Sequence, residues 1–460
     1  MYLQVYACHP LILALFSTAS SSLKKEPDMG KNGPKIVLVG AGGASFGPVM
    51  SLETALAEGL RGSTLVLVDI NGERLEVARA AAERMNKELG RPLTVKSETD
   101  TAKGIEGADY IAMSVEAGRW ERWKEDYAIP RKYGSAQDMA ENGGPGGLFH
   151  SLRTIHLVLK ICGLIEKHAP EALLINVTNP LSRVNLAINR ATKIKSIGMC
   201  PEFNLCMLRI SSYLMIPRNK IAAKAAGMNH FTWIYELKNA QTGDDLFPML
   251  TLHSKIFPFA HGKLVRRMFR KYGMYPASSD SHIGEYLPYE GENTRSNSKL
   301  FPYHKFSETE CKMRVKLTEL YAQGRLRLPL RMMPRNIEGG IDVVEAVETG
   351  SNAEFGAVNM ANASGQILGL PEWAIVETPA RAVNGKIVPK TAPALPEELL
   401  NHMRLQYDIH DKVVESVLTK DPGPAFEALV EDPLSPPDRS SCKKMFDEML
   451  ALQKDVLPFD

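Results

Sequence analysis

The stretch Lys35-Ile-Val-Leu-Val-Gly-Ala-Gly-Gly-Ala-Ser-Phe-Gly47 is followed, one helix-length later, by Thr64-Leu-Val-Leu-Val-Asp69. Each begins as a short apolar run suited to a buried strand. The first stops at a glycine turn and the second at an acid. Gly40, Gly42 and Ser45 have the spacing of a dinucleotide fingerprint, with Ser45 in place of its third glycine. Gly40 allows the sharp turn, and Gly42 lets the backbone approach a pyrophosphate. The small Ser45 is expected to let the next helix sit close to the strand, its first amides facing the phosphates. Gly43 and Phe46 complete the turn. Asp69 stands where an acid binds the diol of an adenine ribose, which favours NAD over NADP. The glycines alone fit a tight turn without cofactor. Strand, helix, strand and acid in succession argue for NAD.

From Lys35 to about Pro201 strand-like and helix-like segments alternate. Strands are expected at Ile36–Val39, Leu65–Val68, Leu93–Lys96, Tyr110–Ser114, Leu173–Val177 and Ser196–Met199. Helices are expected over Glu73–Leu89 and Ser151–His168. Such alternation implies an α/β fold, a Rossmann-type doubly wound parallel sheet covered on both faces. Gly40, Asp69, Glu116, Asn179 and Cys200 all follow strand ends, the edge where open α/β sheets bind ligands. Beyond Pro201 the alternation stops. Phe231–Leu237 reads as a strand, Phe257–Ser281 as basic, aromatic and turn-rich, and Gly339–Gly350 and Pro396–Val417 as helices. The expected organisation is a nucleotide-binding domain over residues 35–201 and a mixed α+β domain over 202–460. The second domain is expected to carry substrate, metal and subunit contacts.

The 460 residues are 44% apolar with a net charge of +2, a soluble globular composition. No basic run interleaved with aromatics supports nucleic-acid binding, and the charge balance gives no case for an anionic membrane surface. The six cysteines, Cys8, Cys162, Cys200, Cys206, Cys311 and Cys442, are scattered without paired spacing. They read as reduced thiols of a cytoplasmic protein. Residues 1–34 contain Leu11–Phe16, too short to span a bilayer and with no basic residue before it. This segment reads as an upstream extension, with Met29 an alternative start.

Four constellations carry candidate chemistry. Cys200 ends a strand and His230 sits in Gly227-Met-Asn-His230; a thiolate and an imidazole make half a transition-metal site. A small core cysteine and a satisfied histidine are the plain alternative. Asn179, in Thr178-Asn-Pro180, offers a donor and an acceptor suited to sugar hydroxyls, or simply a turn. Gln137–Leu148 is a glycine-rich loop entering a helix, a flexible cover for ligand or an ordinary mobile loop. In Ser279–Tyr289, Asp280 is either a helix cap or a general base beside His282, with Glu285 read as a solvated face.

Together these segments resemble glycoside hydrolase family four, the NAD- and metal-dependent glycosidases of the lactate/malate dehydrogenase superfamily. Residues 35–455 carry the resemblance: the Gly40–Phe46 turn, Tyr133-Gly134 before Gly143–Gly147, Thr178–Pro180, Cys200, Gly227–His230 and the Asp280/His282/Glu285 segment. Leu370-Pro371, Val376-Glu377 and Asp432-Pro433-Leu434 also fit. The resemblance implies a route outside the two-carboxylate scheme of most glycosidases. NAD takes hydride from sugar C3, and a Mn²⁺-like ion on Cys200 and His230 holds the C2 and C3 oxygens. Asp280 removes the acidified C2 proton, the aglycone leaves, water adds, and the hydride returns. Asn179, Asn229, Arg119, Glu202 and His282 are the expected sugar contacts. A homodimer or homotetramer is implied, with a small glycoside as partner.

Two departures stand out. Pro201, following Cys200, cannot donate a proton where relatives often carry a polar residue. Glu202 is a candidate substitute of unknown direction, and the leaving-group acid stays unassigned. The aspartate resembles the branch acting on unphosphorylated α-glycosides of hexoses or hexuronic acids; Tyr286 and Tyr289 keep the phosphosugar branch in view. Basic residues in Lys263–Lys271 and Arg295 fit either a uronate or phosphate contact or a solvated face. The alternatives are an NAD-dependent 2-hydroxyacid dehydrogenase and an inactive NAD- and sugar-binding protein. The first is disfavoured because Asn179-Pro-Leu-Ser-Arg183 lacks its acid.

Overall fold

The structure is a computed structural model and describes residues 33–137, 139–287, 303–333 and 337–459, with side chains from 305 in the third segment. Tyr289, Arg295, Met29 and the extension through residue 32 lie outside the described residues.

Six parallel strands, β1 (Lys35–Val39), β2 (Thr64–Val68), β3 (Thr94–Glu98), β4 (Tyr110–Met113), β5 (Leu173–Asn176) and β6 (Lys195–Gly198), stand in the order β3-β2-β1-β4-β5-β6. This is the doubly wound order whose ligand crevice lies beyond the strand C-termini where the winding reverses, between β1 and β4. Helices such as Gly72–Leu89 and Gly144–His168 cover its two faces. The apolar runs of β1 and β2 are buried, as a sheet covered on both sides requires.

The second half continues the same sheet. β7 (Ile221–Met228), β8 (Phe231–Asn239), β9 (Tyr275–Pro276), β10 (Glu354–Ala361) and β11 (Ile375–Val383) are antiparallel, and β12 (Lys386–Pro389) pairs with β11. Two joints stitch the halves together. Asn359 of β10 pairs with Gly198 of β6, and Glu377 of β11 pairs with Gly227 of β7. Glycine is needed at the first joint, because a Cβ on Gly198 would lie 2.3 Å from the Asn185 amide. The joints fall two residues before Cys200 and three before His230, so the sheet register delivers both residues to one edge.

The division expected at residue 201 is crossed by the core as well. Helices Glu397–Thr419, Pro422–Glu431 and Arg439–Gln453 return to the first half, where Val413, Leu429 and Phe446 pack with Phe149 and Ile155 of helix Gly144–His168. That helix is the one described segment long and apolar enough to cross a membrane, and most of it is buried inside the protein.

Candidate active site

The dinucleotide turn is built as the glycines demand. Gly40 adopts φ +90°, and the amides of Gly40 and Ala41 both donate to Val68 O, at 2.8 and 3.0 Å. A Cβ on Gly40 would lie 1.9 Å from Ser114 O. Gly42 N donates to Asp69 Oδ2 at 2.8 Å, so turn and acid are already one unit. The close strand–helix contact assigned to Ser45 belongs to another residue. Ser45 is exposed and caps no amide with its side chain, whereas a Cβ on the buried Gly47 would lie 1.9 Å from Ala41 O. Gly47 therefore does the packing.

Cys200 and His230, expected as a pair, are brought together. Sγ lies 3.4 Å from Nε2, and both side chains are buried. His230 occupies a two-residue turn with Asn229 between β7 and β8 and holds φ +63°. A left-handed histidine costs roughly 1 kcal/mol, and such strain gathers where side-chain direction matters. Burial pushes the Cys200 thiol well up, with Glu377 and Glu202 adding to it, and pushes the His230 imidazole well down. The edge thus collects a neutral thiol and imidazole beside two buried carboxylates, with Glu202 Oε2 lacking a hydrogen-bond partner. Arg209, 3.7 Å from Glu202, is the nearby cation. A divalent ion fits this donor set: it would draw the proton off the thiol and balance the acids. Among the described residues no group of three or more His, Cys, Asp or Glu side chains forms a complete ligand set. A cation here keeps positions for substrate and water.

Asn229 lies against both Cys200 and Glu377, yet neither end of its amide completes a well-formed hydrogen bond. Glu377 itself accepts from Thr232 and from Asn359 Nδ2, the latter at 2.9 Å. His282 stands edge-on to His230 with ring centres 4.4 Å apart, and its Nε2 is 3.8 Å from Glu141. Asn179 Nδ2 donates to Glu141 Oε1 at 3.4 Å. Arg119 pairs with Glu116 and lies over Trp120 and Trp123 at the exposed end of the same helix. Glu116 is 3.6 Å from His150, whose Nδ1 contacts Glu141 O at 2.7 Å.

Three expectations are corrected. Asp280 does not face this cluster with a free carboxylate: it accepts from Val265 N at 2.9 Å and from the Lys263 and Leu264 amides. It caps helix Lys263–Tyr272, whose own N-cap, Gly262, has no side chain to do so. Glu285 is not a solvated face. It is fully buried, and its Oε1 accepts from the amides of Glu141 and Asn142 at 2.7 and 3.0 Å. The glycine-rich loop is not a loose cover: residues 142–150 are buried, and Gly146 N donates to Gln137 Oε1 at 2.8 Å. Tyr286 is buried beside this cluster, with its hydroxyl 3.5 Å from Asn229 O, and burial pushes its phenol well up.

Glu141 and Asn142 lie within the Gln137–Leu148 segment. Their signal was position: an acid and an amide next to a helix N-terminus at the sheet edge.

The fold and edge define a nucleotide-crevice protein with a thiol–imidazole centre. A sequence profile described as "Family 4 glycosyl hydrolase" matches residues 35–216, and one described as "Family 4 glycosyl hydrolase C-terminal domain" matches 225–435. The chain therefore belongs to glycosyl hydrolase family 4 and is a glycoside hydrolase. It is 29% identical to an α-galactosidase of Bacillus subtilis over 92% of this chain and 99% of the relative. It is 29% identical to an α-glucosidase of Erwinia rhapontici over 92% and 99%. An α-galacturonidase of Thermoanaerobacterium saccharolyticum is 27% identical over 92% and 96%. A 6-phospho-α-glucosidase from gut microorganisms, solved with NAD and Mn²⁺, shares the fold at TM-score 0.82, with 21% identity over 93% of this chain and 99% of that one.

Proposed function

We propose that the chain hydrolyses an unphosphorylated α-hexoside or α-hexuronide, with NAD and a Mn²⁺-like cation as resident cofactors. The observation that carries this reading is the 3.4 Å approach of Cys200 Sγ to His230 Nε2 on the same sheet edge as the dinucleotide turn. The α-galactosidase, α-glucosidase and α-galacturonidase relatives support the choice of sugar.

Cys200 and His230 would hold the cation, and the Gly40–Phe46 turn with Asp69 would hold NAD. When bound, NAD supplies a reversible hydride store and the cation supplies Lewis acidity at neighbouring sugar oxygens. The residues do the rest. Gly40, Gly42 and Gly43, which carry no side chain, would let a pyrophosphate approach the N-terminus of helix Phe46–Leu56 beside Ser45, and Asp69 would accept from a ribose diol. Ile70, 91% exposed beside Asp69, offers an apolar face to adenine. Asn179, Asn229 and His282 would orient sugar hydroxyls, and Arg119 would guard the entrance.

The proton carrier is assigned to Glu141 rather than Asp280. Its carboxylate lies between Asn179 and His282 and is not consumed by helix amides. The Asp280 carboxylate is held by three backbone amides of helix Lys263–Tyr272, so it is not free to turn toward a sugar carbon. Glu202, buried after Pro201 with one oxygen unpartnered, is assigned to the leaving-group side.

We place the enzyme in the cytoplasm as a homodimer or homotetramer, with no nucleic-acid or membrane partner. Buried reduced cysteines suit that compartment. Met249, Leu252 and Ile256, spaced along one exposed face of a helix, together with exposed Phe259, suit a subunit contact.

The test is a panel of aryl α-hexosides, α-hexuronides and their 6-phosphates, assayed with and without NAD⁺ and Mn²⁺. The reading expects turnover of a neutral or uronic α-glycoside that stops in chelator. Turnover confined to phosphosugars, or unaffected by chelator, would overturn it.

A further inference from the structure

We propose that Asn142 decides which ring nitrogen of His230 carries the proton, and thereby whether that imidazole is ready to take a cation. The inference rests on the metal-holding reading of Cys200 and His230.

Asn142 Nδ2 lies 2.9 Å from His230 Nδ1, and both residues are buried. An amide nitrogen can only donate. With the amide in this orientation Nδ1 accepts, which puts the single proton of a neutral ring on Nε2, facing Cys200 Sγ at 3.4 Å. In this tautomer the ring has no lone pair to offer at Nε2. Half a turn of the Asn142 amide reverses the arrangement. Oδ1 then accepts from Nδ1–H, and Nε2 presents its lone pair to the same space. The ring holds one proton throughout. Asparagine, with a donor and an acceptor of nearly equal size at one position, satisfies Nδ1 in both arrangements.

The remainder of the residue is fixed. Asn142 N donates to Glu285 Oε1 at 3.0 Å. A Cβ on the adjoining Gly143 would lie 2.2 Å from Glu285 O, so the backbone has no room to withdraw. Ala140, two residues earlier, is locked at φ +61° with no exposure. His282, edge-on at 4.4 Å, blocks the His230 ring on another side. Rotation of one amide is the freedom left. A partner on the second ring nitrogen of a metal-bound histidine is worth about 10–100-fold in metal affinity.

The experiment uses the full-length chain as wild type, Asn142→Asp and Asn142→Leu, two changes of nearly equal volume. ¹⁵N-histidine NMR of the metal-free proteins reads the tautomer. Mn²⁺ titration followed by EPR of the free ion reads affinity, and NAD⁺ binding checks that each variant is folded. The expected result is Nε2–H in wild type and Nδ1–H in Asn142→Asp. Asn142→Leu should hold Mn²⁺ about 10–100-fold more weakly than wild type, and Asn142→Asp at least as tightly as wild type. One tautomer shared by all three proteins, or Asn142→Leu binding Mn²⁺ like wild type, would overturn the proposal. If wild type takes up no Mn²⁺ while the tautomer still follows residue 142, the metal reading fails and the tautomer assignment stands.

Discussion

At the scale of single residues the site depends on side chains whose direction is set by strained or crowded backbone. His230 at φ +63° and Ala140 at φ +61° bracket the space holding Cys200, Glu141 and Asn142. Cys200→Ser and His230→Ala should each remove metal-dependent turnover while NAD⁺ binding, followed by fluorescence titration, persists. Glu141→Gln should lower kcat by roughly 10²–10⁴-fold, the range for loss of a positioned acid or base. Asp280→Ala should instead lower stability by about 1 kcal/mol, through the lost cap on helix Lys263–Tyr272, as measured by urea denaturation. A larger effect of Asp280 than of Glu141 on kcat would reverse that assignment. Cys200 and His230 were singled out by the family resemblance; locally, a thiol at a strand end and a Gly-Met-Asn-His turn fit core residues as well as a metal pair. The role of Asp280 was not legible, because the amides a carboxylate accepts from, here fifteen residues away, are a tertiary matter.

At the scale of elements, helix Phe46–Leu56 leaves the dinucleotide turn and docks on the segment after residue 336 through a buried acid. Glu53 Oε1 accepts from Ile337 N at 2.9 Å. Burial, then Asp342 and Glu338, pushes the Glu53 carboxyl up to about 8, and burial pushes Glu338 up to about 7. Below about 4.5 both folded and unfolded chains are protonated at these groups. Between 4.5 and 8 only the folded chain keeps the Glu53 proton, so stability falls as pH rises through that window, by at most about 1.4 kcal/mol per pH unit for one group. Glu285, raised to about 8, has the same sign. Urea midpoints should therefore drop from pH 6 to 9, and the drop should be shallower in Glu53→Gln; equal slopes would contradict the assignment. The six parallel strands and β8 were readable within a residue or two, because their apolar runs are local signals, whereas β7, β9, β10, β11 and β12 went unread. Helix Lys263–Tyr272 went unread because Gly262 gives no start signal and its cap comes from Asp280.

At the scale of the whole molecule, one sheet joins a nucleotide-binding half to an antiparallel half, and the terminal helices pack back across it. Phe446 of helix Arg439–Gln453 meets Phe149 with ring centres 5.4 Å apart. Phe446→Ala should cost about 3–5 kcal/mol and shift the unfolding of the whole chain, because Phe149 lies on the helix that begins beside Asn142. Separate melting of the C-terminal helices would speak against a shared core. None of this joinery was visible in sequence: Gly198 and Asn359 meet across 161 positions, and nothing local in either segment announces the other. The central claim is that the dinucleotide turn and the Cys200–His230 pair act on one sugar ring. It is tested most directly by hydrolysing an α-hexoside or α-hexuronide in D₂O with NAD⁺ and Mn²⁺ and reading the product by NMR and mass spectrometry. The account predicts solvent deuterium at C2 of the released sugar, no net NADH, and loss of hydrolysis when either cofactor is withdrawn. Hydrolysis that continues without them and leaves C2 unlabelled would contradict it.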